Sequence, residues 1–312
     1  MNAHPVSTMR SADLAVVVNS FNRRVLLERA IGSLYQHLQP LPSEVIVVDD
    51  GSTDGSAELV EAWVRGGLHP GLRLVRPPKR VAFAGGVNVG IQASQAPYVC
   101  LFETDNAVAD AGLWRGVAYL KENPDVAAVG FKVTSLDGTP AGNSMSFPSA
   151  LAFVCGQQIA ARLGLERPSA GPSRDVVFTS PLVLARAAIE RVGPMNDVTF
   201  PFCDSDIDWC RRFHDAGFDL RVLEDVAVVH DQGGHKSEFS KTRTLDFHRA
   251  RLAYFKQYAP RIVPLLRVGL LARHCAELAL LGAARAAGKV PPDRVRTRIE
   301  LLKRWPRDYE PG

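Results

Sequence analysis

Short apolar strands and amphipathic helices alternate along the first third of the chain, and this pattern restricts the possible folds more than any other feature. The run LAVVVNS over 14–20 is typical of a buried parallel strand, and the segment 25–38 places apolar side chains at helical spacing. The alternation recurs in EVIVVDD with the helical segment after it, and in LRLVRPP with a helix expected over about 86–93 before YVCLFET. Such alternation predicts an α/β fold with a mostly parallel, Rossmann-like sheet and helices on both faces.

Polar residues follow these strands where each of them is expected to end. The tails are NSFNR, DDGSTD and ETDN. Because the carboxyl ends of parallel strands meet at one edge of a sheet, we expect these polar groups to lie together. The sequence therefore predicts a ligand site at this edge.

The remainder of the chain is less regular. The stretch from about 129 to 173 is rich in Gly, Pro and Ser and predicts loops with one helical piece near 150–163. A strand and a helix follow over about 175–193, and a final strand is expected to end on His230. We expect a disordered tail over 1–12, one α/β domain over 13–241, and a basic helical extension over 242–312.

Charge and cysteine usage exclude several classes of protein. The net charge of +4 on 312 residues is too small to indicate a nucleic-acid partner. The five cysteines are scattered, with no C-x-x-C pair, which argues against a disulfide framework or a zinc site and suits a reducing cytoplasm. The N-terminal residues lack the apolar core of a signal peptide, and no apolar run reaches the length of a spanning helix.

Five motifs in a fixed order resemble those of the inverting family 2 glycosyltransferases with a GT-A fold. They are VVVNSFNR, VIVVDDGSTDGS, RVAFAGGVNVGI, YVCLFETDN, and the segment from VGPMND to HDQGGHKS. The similarity covers about 14–258 and is closest to the bacterial branch that includes rhamnosyltransferases and galactofuranosyltransferases. It implies a donor half at 13–110 and an acceptor half at 111–241.

The resemblance also implies the reaction. A sugar would move from a nucleotide diphosphate to a hydroxyl of a saccharide or lipid-linked acceptor in cell-surface polysaccharide synthesis. The branch favours dTDP-rhamnose as donor, followed by a UDP-hexose or UDP-galactofuranose. A divalent cation, Mn²⁺ or Mg²⁺, would neutralise the charge on the departing diphosphate.

The segment Glu103-Thr104-Asp105 matches the metal-binding D-x-D motif of that family. Alone, this tripeptide is more typical of a polar strand end with Asp105 as a helix cap. The resemblance implies that Asp105 binds the metal and Thr104 the donor, whereas Glu103 replaces the usual Asp or Asn and its coordination stays open. A histidine of the last strand completes the metal site, with His230 preferred to His235.

Two neighbouring strand exits correspond to the nucleotide-binding motifs of the family. Asp49 and Asp50 match the acidic pair that contacts the base or ribose. Asn19 and Arg23 lie at the adjacent strand exit, near the base and the phosphate respectively. Asp54 is interpreted as a helix cap instead.

The Gly-rich segment RVAFAGGVNVGI precedes a helix, so its backbone N–H groups could face an anion. It lacks the G-x-G-x-x-G fingerprint, which argues against a Rossmann dehydrogenase. Arg80 stands where the family usually has Asn, and it either meets the donor phosphate or is solvated. Asn88 matches the family and is expected to brace the donor site through hydrogen bonds.

The segment FCDSDIDWCRR matches the family's catalytic acidic motif. The resemblance assigns Asp206 as the general base that deprotonates the acceptor hydroxyl, since inversion is a single displacement. Asp204 and Asp208 flank this base and would orient groups around it, while Ser205 replaces the usual Glu. Trp209 is either a core residue or a surface on which the acceptor stacks.

The segment 262–284 is strongly apolar, and basic residues dominate after it. These helices are expected to pack on the catalytic domain or form a homodimer interface, or else to contact an anionic membrane peripherally.

Two functional alternatives stay open. One is a non-catalytic binding protein derived from this fold, given Glu103 and Ser205. The other is a sugar nucleotidyltransferase, although NSFNRR does not provide its Gly-rich loop.

Overall fold

A computed structural model describes residues 12–38, 43–165, 172–231, 241–288 and 292–309. The strands are β1 Leu14–Ser20, β2 Ser43–Asp49, β3 Leu72–Val75, β4 Tyr98–Glu103, β5 Asn106–Val108, β6 Val126–Thr134, β7 Pro140–Ala141, β8 Ser144–Met145, β9 Val176–Val177, β10 Leu182–Ala185 and β11 Asp219–His230. The helices are α1 Arg24–Leu38, α2 Ser56–Arg65, α3 Ala82–Gln92, α4 Gly112–Glu122, α5 Ala150–Cys155, α6 Gln157–Arg162, α7 Arg186–Val192, α8 Ser205–Asp215, α9 Lys241–Tyr258, α10 Val263–Ala286 and α11 Pro292–Arg304.

The main sheet has the strand order β3-β2-β1-β4-β10-β6-β11-β5, and β7 pairs with β6. The pairings β2–β3, β1–β2, β1–β4 and β6–β11 are parallel. β10 is antiparallel to both of its neighbours, β4 and β6, and β5 is antiparallel to β11. The four strands β3, β2, β1 and β4 are therefore parallel, as predicted. The antiparallel strand β10 joins them to the second half of the sheet, where β6 and β11 are again parallel.

Two hydrophobic clusters cover the two faces of this sheet. Alternate residues of β1 contribute to opposite clusters, with Val17 in one and Val16 and Val18 in the other. Among the α1 side chains expected on one face, Leu27, Ile31 and Leu34 are buried in the second cluster, while Leu26 is only partly buried. The sheet is thus covered by helices on both faces, as the alternating pattern predicts.

The loop expected from residue 129 is wrong in its first part, because β6 continues to Thr134 and lies inside the sheet. Gly130, which suggested a break, sits where a Cβ atom would lie 2.4 Å from Cγ1 of Val177. The glycine therefore permits close packing within a strand. The helix expected over about 86–93 also begins earlier, at Ala82, and at Gly90 it approaches Val17 too closely for a side chain.

The C-terminal helices pack against the α/β domain through α9 and the adjoining part of α10. Phe255 of α9 stacks on Phe153 of α5, with ring centroids 6.0 Å apart. Nη1 of Arg273 in α10 donates to the backbone oxygen of Phe153 at 2.8 Å. Within the described residues, no helix has the length and apolar character needed to cross a membrane. The proposed boundaries at 12 and 241 stay predictions, and the N-terminal tail over 1–11 lies outside the described residues.

Candidate active site

A cavity of about 1030 Å³ lies at the carboxyl ends of β1 and β4. Asn19 and the segment 103–105 line one part of it. Residues of α5, α9 and α10 line the other part, including Phe153, Arg251 and Arg273. The sheet edge that carries the polar tails therefore borders a cavity, and the C-terminal helices form part of the opposite wall.

Asp105 and His230 lie side by side where β4 and β11 end. Nε2 of His230 is 3.3 Å from Oδ1 of Asp105, and the backbone N–H of Asp231 donates to the Asp105 carbonyl at 2.7 Å. The contact with the Asp105 carboxylate raises the pKa of the His230 imidazole. Oδ1 of Asp105 is buried and has no hydrogen-bond partner of good geometry among the described residues. A buried carboxylate oxygen next to an imidazole suits a divalent cation such as Mn²⁺ or Mg²⁺.

Glu103 and Thr104 line the cavity beside Asp105. Oε1 of Glu103 accepts a hydrogen bond from the Thr179 hydroxyl at 3.3 Å. Burial, and then the nearby Asp105 carboxylate, raise the pKa of Glu103 to about 7. Across the part of the chain that the structure describes, no three His, Cys, Asp or Glu side chains converge to hold a metal ion. Phosphate oxygens and water could complete the coordination of a cation at Asp105. The competing His235 lies outside the described residues.

Asp50 fixes the start of the Gly-rich helix α3. Its carboxylate accepts hydrogen bonds from the backbone N–H groups of Val81 and Ala82, at 2.7 and 3.2 Å. Nε of Arg80 is 3.5 Å from the same carboxylate, and the Arg80 guanidinium lies 3.7 Å from the centroid of the Phe21 ring. Asp50, Arg80, Phe21 and the predicted phosphate-binding residue Arg23 all line the cavity.

Asn19 lines the cavity and also braces α3. Its Nδ2 donates to the backbone oxygen of Phe83 at 3.0 Å, while its buried Oδ1 has no partner among the described residues. That oxygen would lie only 2.7 Å from a Cβ atom at Gly86, so the glycine lets helix and strand end approach. Close packing of α3 on the end of β1 therefore accounts for Gly86 of the Gly-rich motif. Oδ1 of the cavity-lining residue Asn19 stays available as a hydrogen-bond acceptor.

Two predicted nucleotide-binding residues lie away from the cavity lining. Asp49 accepts from the backbone N–H of Ser52 at 3.2 Å and so shapes the turn after β2. Asn88 donates to the Met195 carbonyl and accepts from the Met195 N–H, both at 2.9 Å. Asn88 therefore has the bracing role that its motif suggested, and Asp49 shapes a turn, while direct nucleotide contact by either residue stays a prediction. The expected cap Asp54 accepts from the Ser56 N–H just before α2.

Asp206 lies in the first turn of α8 and lines the cavity. Its Oδ1 accepts from the backbone N–H of Ile207 at 2.9 Å. Burial, and then the neighbouring Asp204 carboxylate, raise the pKa of Asp206 to about 6. A carboxylate with a pKa near neutrality that faces a cavity is suited to general-base work.

Asp204 is held by Arg251 of α9 in a buried, two-point ion pair. Nε and Nη2 of Arg251 lie 2.7 and 3.1 Å from the two carboxylate oxygens, and both side chains are only 5% exposed. Asp204 adopts a left-handed backbone conformation, with φ of 61°, immediately before α8. The pair therefore fixes the loop that presents Asp206 to the cavity.

Asp208 and Trp209 are both buried and lie away from the cavity lining. Asp208 accepts from Arg212 at 3.0 Å and from the hydroxyl of Tyr258 at 2.8 Å. Nε1 of Trp209 donates to the Gly193 carbonyl at 3.0 Å. Asp208 links α8 to α9, and Trp209 belongs to the core, which was the other interpretation of this tryptophan.

Several cavity residues were missed at the level of sequence. Arg243, Phe247 and Arg251 come from α9, Arg273 from α10 and Phe153 from α5. No motif marks them, since they lie in helices whose sequence shows only amphipathic spacing. The positive charge of Arg251 was a possible signal that it pairs with the acidic motif. The sequence alone cannot assign this pair, because Arg251 lies 47 residues from Asp204 along the chain and only the fold brings them together.

Comparison with known proteins agrees with this geometry. Residues 15–168 match the family model described as "Glycosyl transferase family 2". Among solved structures, the mannosyltransferase PcManGT from Pyrobaculum calidifontis, in complex with GDP-Man and Mn²⁺, superposes with a TM-score of 0.58 at 17% identity, covering 96% of this chain and 86% of that one. Residues 1–349 of S. aureus TarS, in complex with UDP-GlcNAc, give a TM-score of 0.55 at 15% identity, covering 96% and 82%.

A curated relative is the glycosyltransferase AglE of Haloferax volcanii, 21% identical over 218 residues, or 70% of this chain. The alignment spans 66% of AglE, slightly less than two thirds of its length. The GT-A fold expected from the motifs is confirmed. Residues 15–168 are therefore similar to family 2 glycosyltransferases, and the chain has a GT-A-like fold.

Proposed function

We propose that the chain is a metal-dependent, inverting glycosyltransferase that moves a sugar from a nucleotide diphosphate to a hydroxyl of a saccharide or lipid-linked acceptor. The observation that carries the proposal is one cavity bordered by two different acidic sites. Asp105 has a buried carboxylate oxygen 3.3 Å from Nε2 of His230, whereas Asp206 has a pKa raised to about 6. A leaving group and an acceptor hydroxyl require these two different chemistries.

The donor diphosphate is proposed to lie at the Asp105 part of the cavity. Asp105 and His230 would hold the cation there, which when bound would neutralise charge on the leaving diphosphate. Glu103, with its raised pKa and its hydrogen bond from Thr179, is assigned to support Asp105 rather than to bind the metal. The remaining donor contacts are proposed for cavity-lining residues, namely Asn19, Arg23, Asp50, Arg80 and Thr104.

Asp206 is proposed to accept the proton of the acceptor hydroxyl. The acceptor oxygen then bonds to the anomeric carbon as the bond from that carbon to the diphosphate breaks, and the nucleoside diphosphate leaves. This single displacement inverts the anomeric configuration and needs one base on the side opposite the leaving group. Asp204, held by Arg251, is assigned the positioning of the loop that carries this base.

The acceptor is proposed to occupy the part of the cavity formed by α5, α9 and α10. Aromatic and cationic side chains line it together, among them Phe153, Phe247 and Arg273. Aromatic faces suit the apolar surfaces of sugar rings, and guanidinium groups suit sugar hydroxyls or acidic groups.

The donor proposed first is dTDP-rhamnose, on the motif resemblance, followed by a UDP-hexose or UDP-galactofuranose. The setting proposed is the cytoplasmic synthesis of a cell-surface glycan.

Calorimetric titration with dTDP, UDP and GDP in the presence of Mn²⁺, followed by hydrolysis assays with the matching nucleotide sugars, tests the donor assignment. We expect one nucleotide to bind clearly better than the others. Binding of none of them would overturn the donor site. Binding that is independent of Mn²⁺ and of Asp105 would favour the non-catalytic binding protein instead.

The substitution Asp206→Asn tests the base. We expect it to retain nucleotide binding and to lower kcat by roughly a hundredfold or more, because a general base contributes about 10²–10⁴ to the rate. The matched control is Asp215→Asn on the same helix, where an exposed carboxylate pairs with Arg211. Transfer activity that persists in Asp206→Asn would place the base elsewhere.

The substitution Asp105→Asn tests the metal assignment through a readout besides activity. We expect it to weaken Mn²⁺-dependent nucleotide binding by about tenfold or more, because the cation loses its charged protein ligand. Chelation of Mn²⁺ should reduce nucleotide binding to the wild-type chain to the same level. Equal nucleotide affinity in the variant and the wild type would exclude Asp105 as a metal ligand.

A further inference from the structure

One face of α10 is exposed, apolar and free of charge along most of the helix. Its three large exposed side chains are Leu265, Val268 and Leu280, with Leu265 76% and Leu280 71% exposed, and Ile262 directly before the helix is exposed as well. The other exposed residues between 262 and 283 are Pro, Ala, Gly and Cys. At 100° per residue these positions span an arc of about 160°, and a helix of this length runs for roughly 36 Å.

The neighbouring pair α5–α6 extends this surface. Leu151, Ile159 and Leu163 are each more than half exposed. α5 packs closely on α10, since a Cβ atom at Gly269 would lie 2.8 Å from Cγ1 of Val154. We call the exposed apolar residues of α10, α5 and α6 the apolar surface. Contiguous apolar surfaces of this extent on a folded chain indicate contact with another body.

The C-terminal segment that contains α10 carries a net positive charge. Between 259 and 309 the chain has eleven Lys and Arg residues against four Asp and Glu residues, although its overall net charge is only +4. Each of the four acids is ion-paired within this region or with α9, as Glu277 is with Arg273 and Arg298. Arg261 and Arg285, at the two ends of α10, are exposed and form no ion pair with another described residue.

We infer that the apolar surface binds an anionic lipid bilayer, with α10 lying in the plane of the membrane. A second copy of the chain would bring two surfaces of equal positive charge together, which costs free energy at a protein interface. Anionic lipid headgroups attract these same cations, while the apolar side chains enter the boundary of the acyl chains. Charge therefore favours the membrane over a homodimer as the occupant.

The apolar surface adjoins the proposed acceptor part of the cavity. α5 carries the exposed Leu151 and the cavity residue Phe153, and α10 carries the exposed Val268 and the cavity residue Arg273. A bilayer bound here would lie beside the cavity entrance, where a lipid-linked acceptor arrives. This last step rests on the proposed function, whereas membrane binding itself does not.

Co-sedimentation of the full chain with vesicles tests the proposal. We expect binding to vesicles of phosphatidylcholine with phosphatidylglycerol, weak binding to phosphatidylcholine alone, and a decrease as salt is raised. The triple variant Leu265→Ser, Val268→Ser, Leu280→Ser should bind at least about tenfold more weakly, because each side chain loses apolar burial in the interface. The control variant Val64→Ser, Leu68→Ser, Val198→Ser changes exposed apolar residues elsewhere and should bind like the wild type.

Two further measurements keep the outcome clear. Thermal unfolding by circular dichroism should show the same midpoint for both triple variants, since all six residues are exposed. Light scattering gives the oligomeric state in solution. Equal vesicle binding by the wild type and the α10 variant, or a wild-type dimer that the α10 variant dissociates, would overturn the proposal. Nucleotide binding by calorimetry should be the same in all three chains, so a failure here is distinguishable from a failure of the donor site.

Discussion

At the scale of single residues, the site depends on carboxylates with different surroundings. Asp206 faces the cavity with little hydrogen bonding and has a pKa raised to about 6, whereas Asp204, two residues away, is tied to a guanidinium at two points. Asp208 is satisfied by three donors. Nothing in DSDID distinguishes these three by type, so the assignment of the base came from the family resemblance. The burial of the other two supports it.

The pKa of Asp206 predicts a pH dependence for the transfer reaction. The base must be deprotonated, so at saturating donor and Mn²⁺ we expect kcat to be constant above about pH 7 and to fall below about pH 6. Well below the pKa the decrease should approach tenfold per pH unit. Initial rates between pH 5 and 8 measure this, and a rate independent of pH over that range would contradict the assignment.

At the scale of elements, α8 and α9 form a unit that positions the base. The Asp204–Arg251 pair and the hydrogen bonds from Gln257 and Tyr258 to Asp208 are among the contacts that join them. Through these contacts, α9 packs against the part of the α/β domain that contains the candidate active site. This helix is the first of the predicted extension over 242–312.

The substitution Arg251→Ala tests this coupling through stability. It leaves the buried Asp204 carboxylate without its partner, and we expect the free energy of unfolding to fall by about 3–5 kcal/mol. The control Arg296→Ala removes an exposed pair with Asp293 on α11 and should cost less than about 1 kcal/mol. Urea unfolding at neutral pH measures both. Similar costs for the two variants would show that the buried pair does not stabilise the fold.

The periodicity of the sequence predicted some elements and missed others for physical reasons. β1, β2 and β4 are buried on both faces, so their continuous apolar runs and polar ends identify them directly. The orientation of β10 is not encoded locally, because LVLA is too short to distinguish parallel from antiparallel pairing. The contact of Asp204 with Arg251 depends on how α9 returns over the domain, which no local pattern specifies.

At the scale of the whole molecule, the charge is unevenly distributed. The acidic cavity residues lie on the α/β domain, whereas the excess of Arg and Lys lies in the last fifty residues. A chain whose total charge suggests no particular partner can therefore still present a strongly basic surface. The net charge of the whole chain hides this uneven distribution, which becomes visible when the charges from residue 259 onwards are counted separately.

β10 has a mechanical consequence. Through this strand, β4, which leads to the proposed metal site at Asp105, and β6 with the second half of the domain belong to one continuous hydrogen-bonded sheet. A hinge motion between the two halves, as the two lobes of many enzymes make around a bound ligand, would break the backbone hydrogen bonds of this strand. Under the proposed function, we therefore expect the two substrates to enter and leave past side chains, loops and C-terminal helices, while the backbone under Asp105 keeps its position.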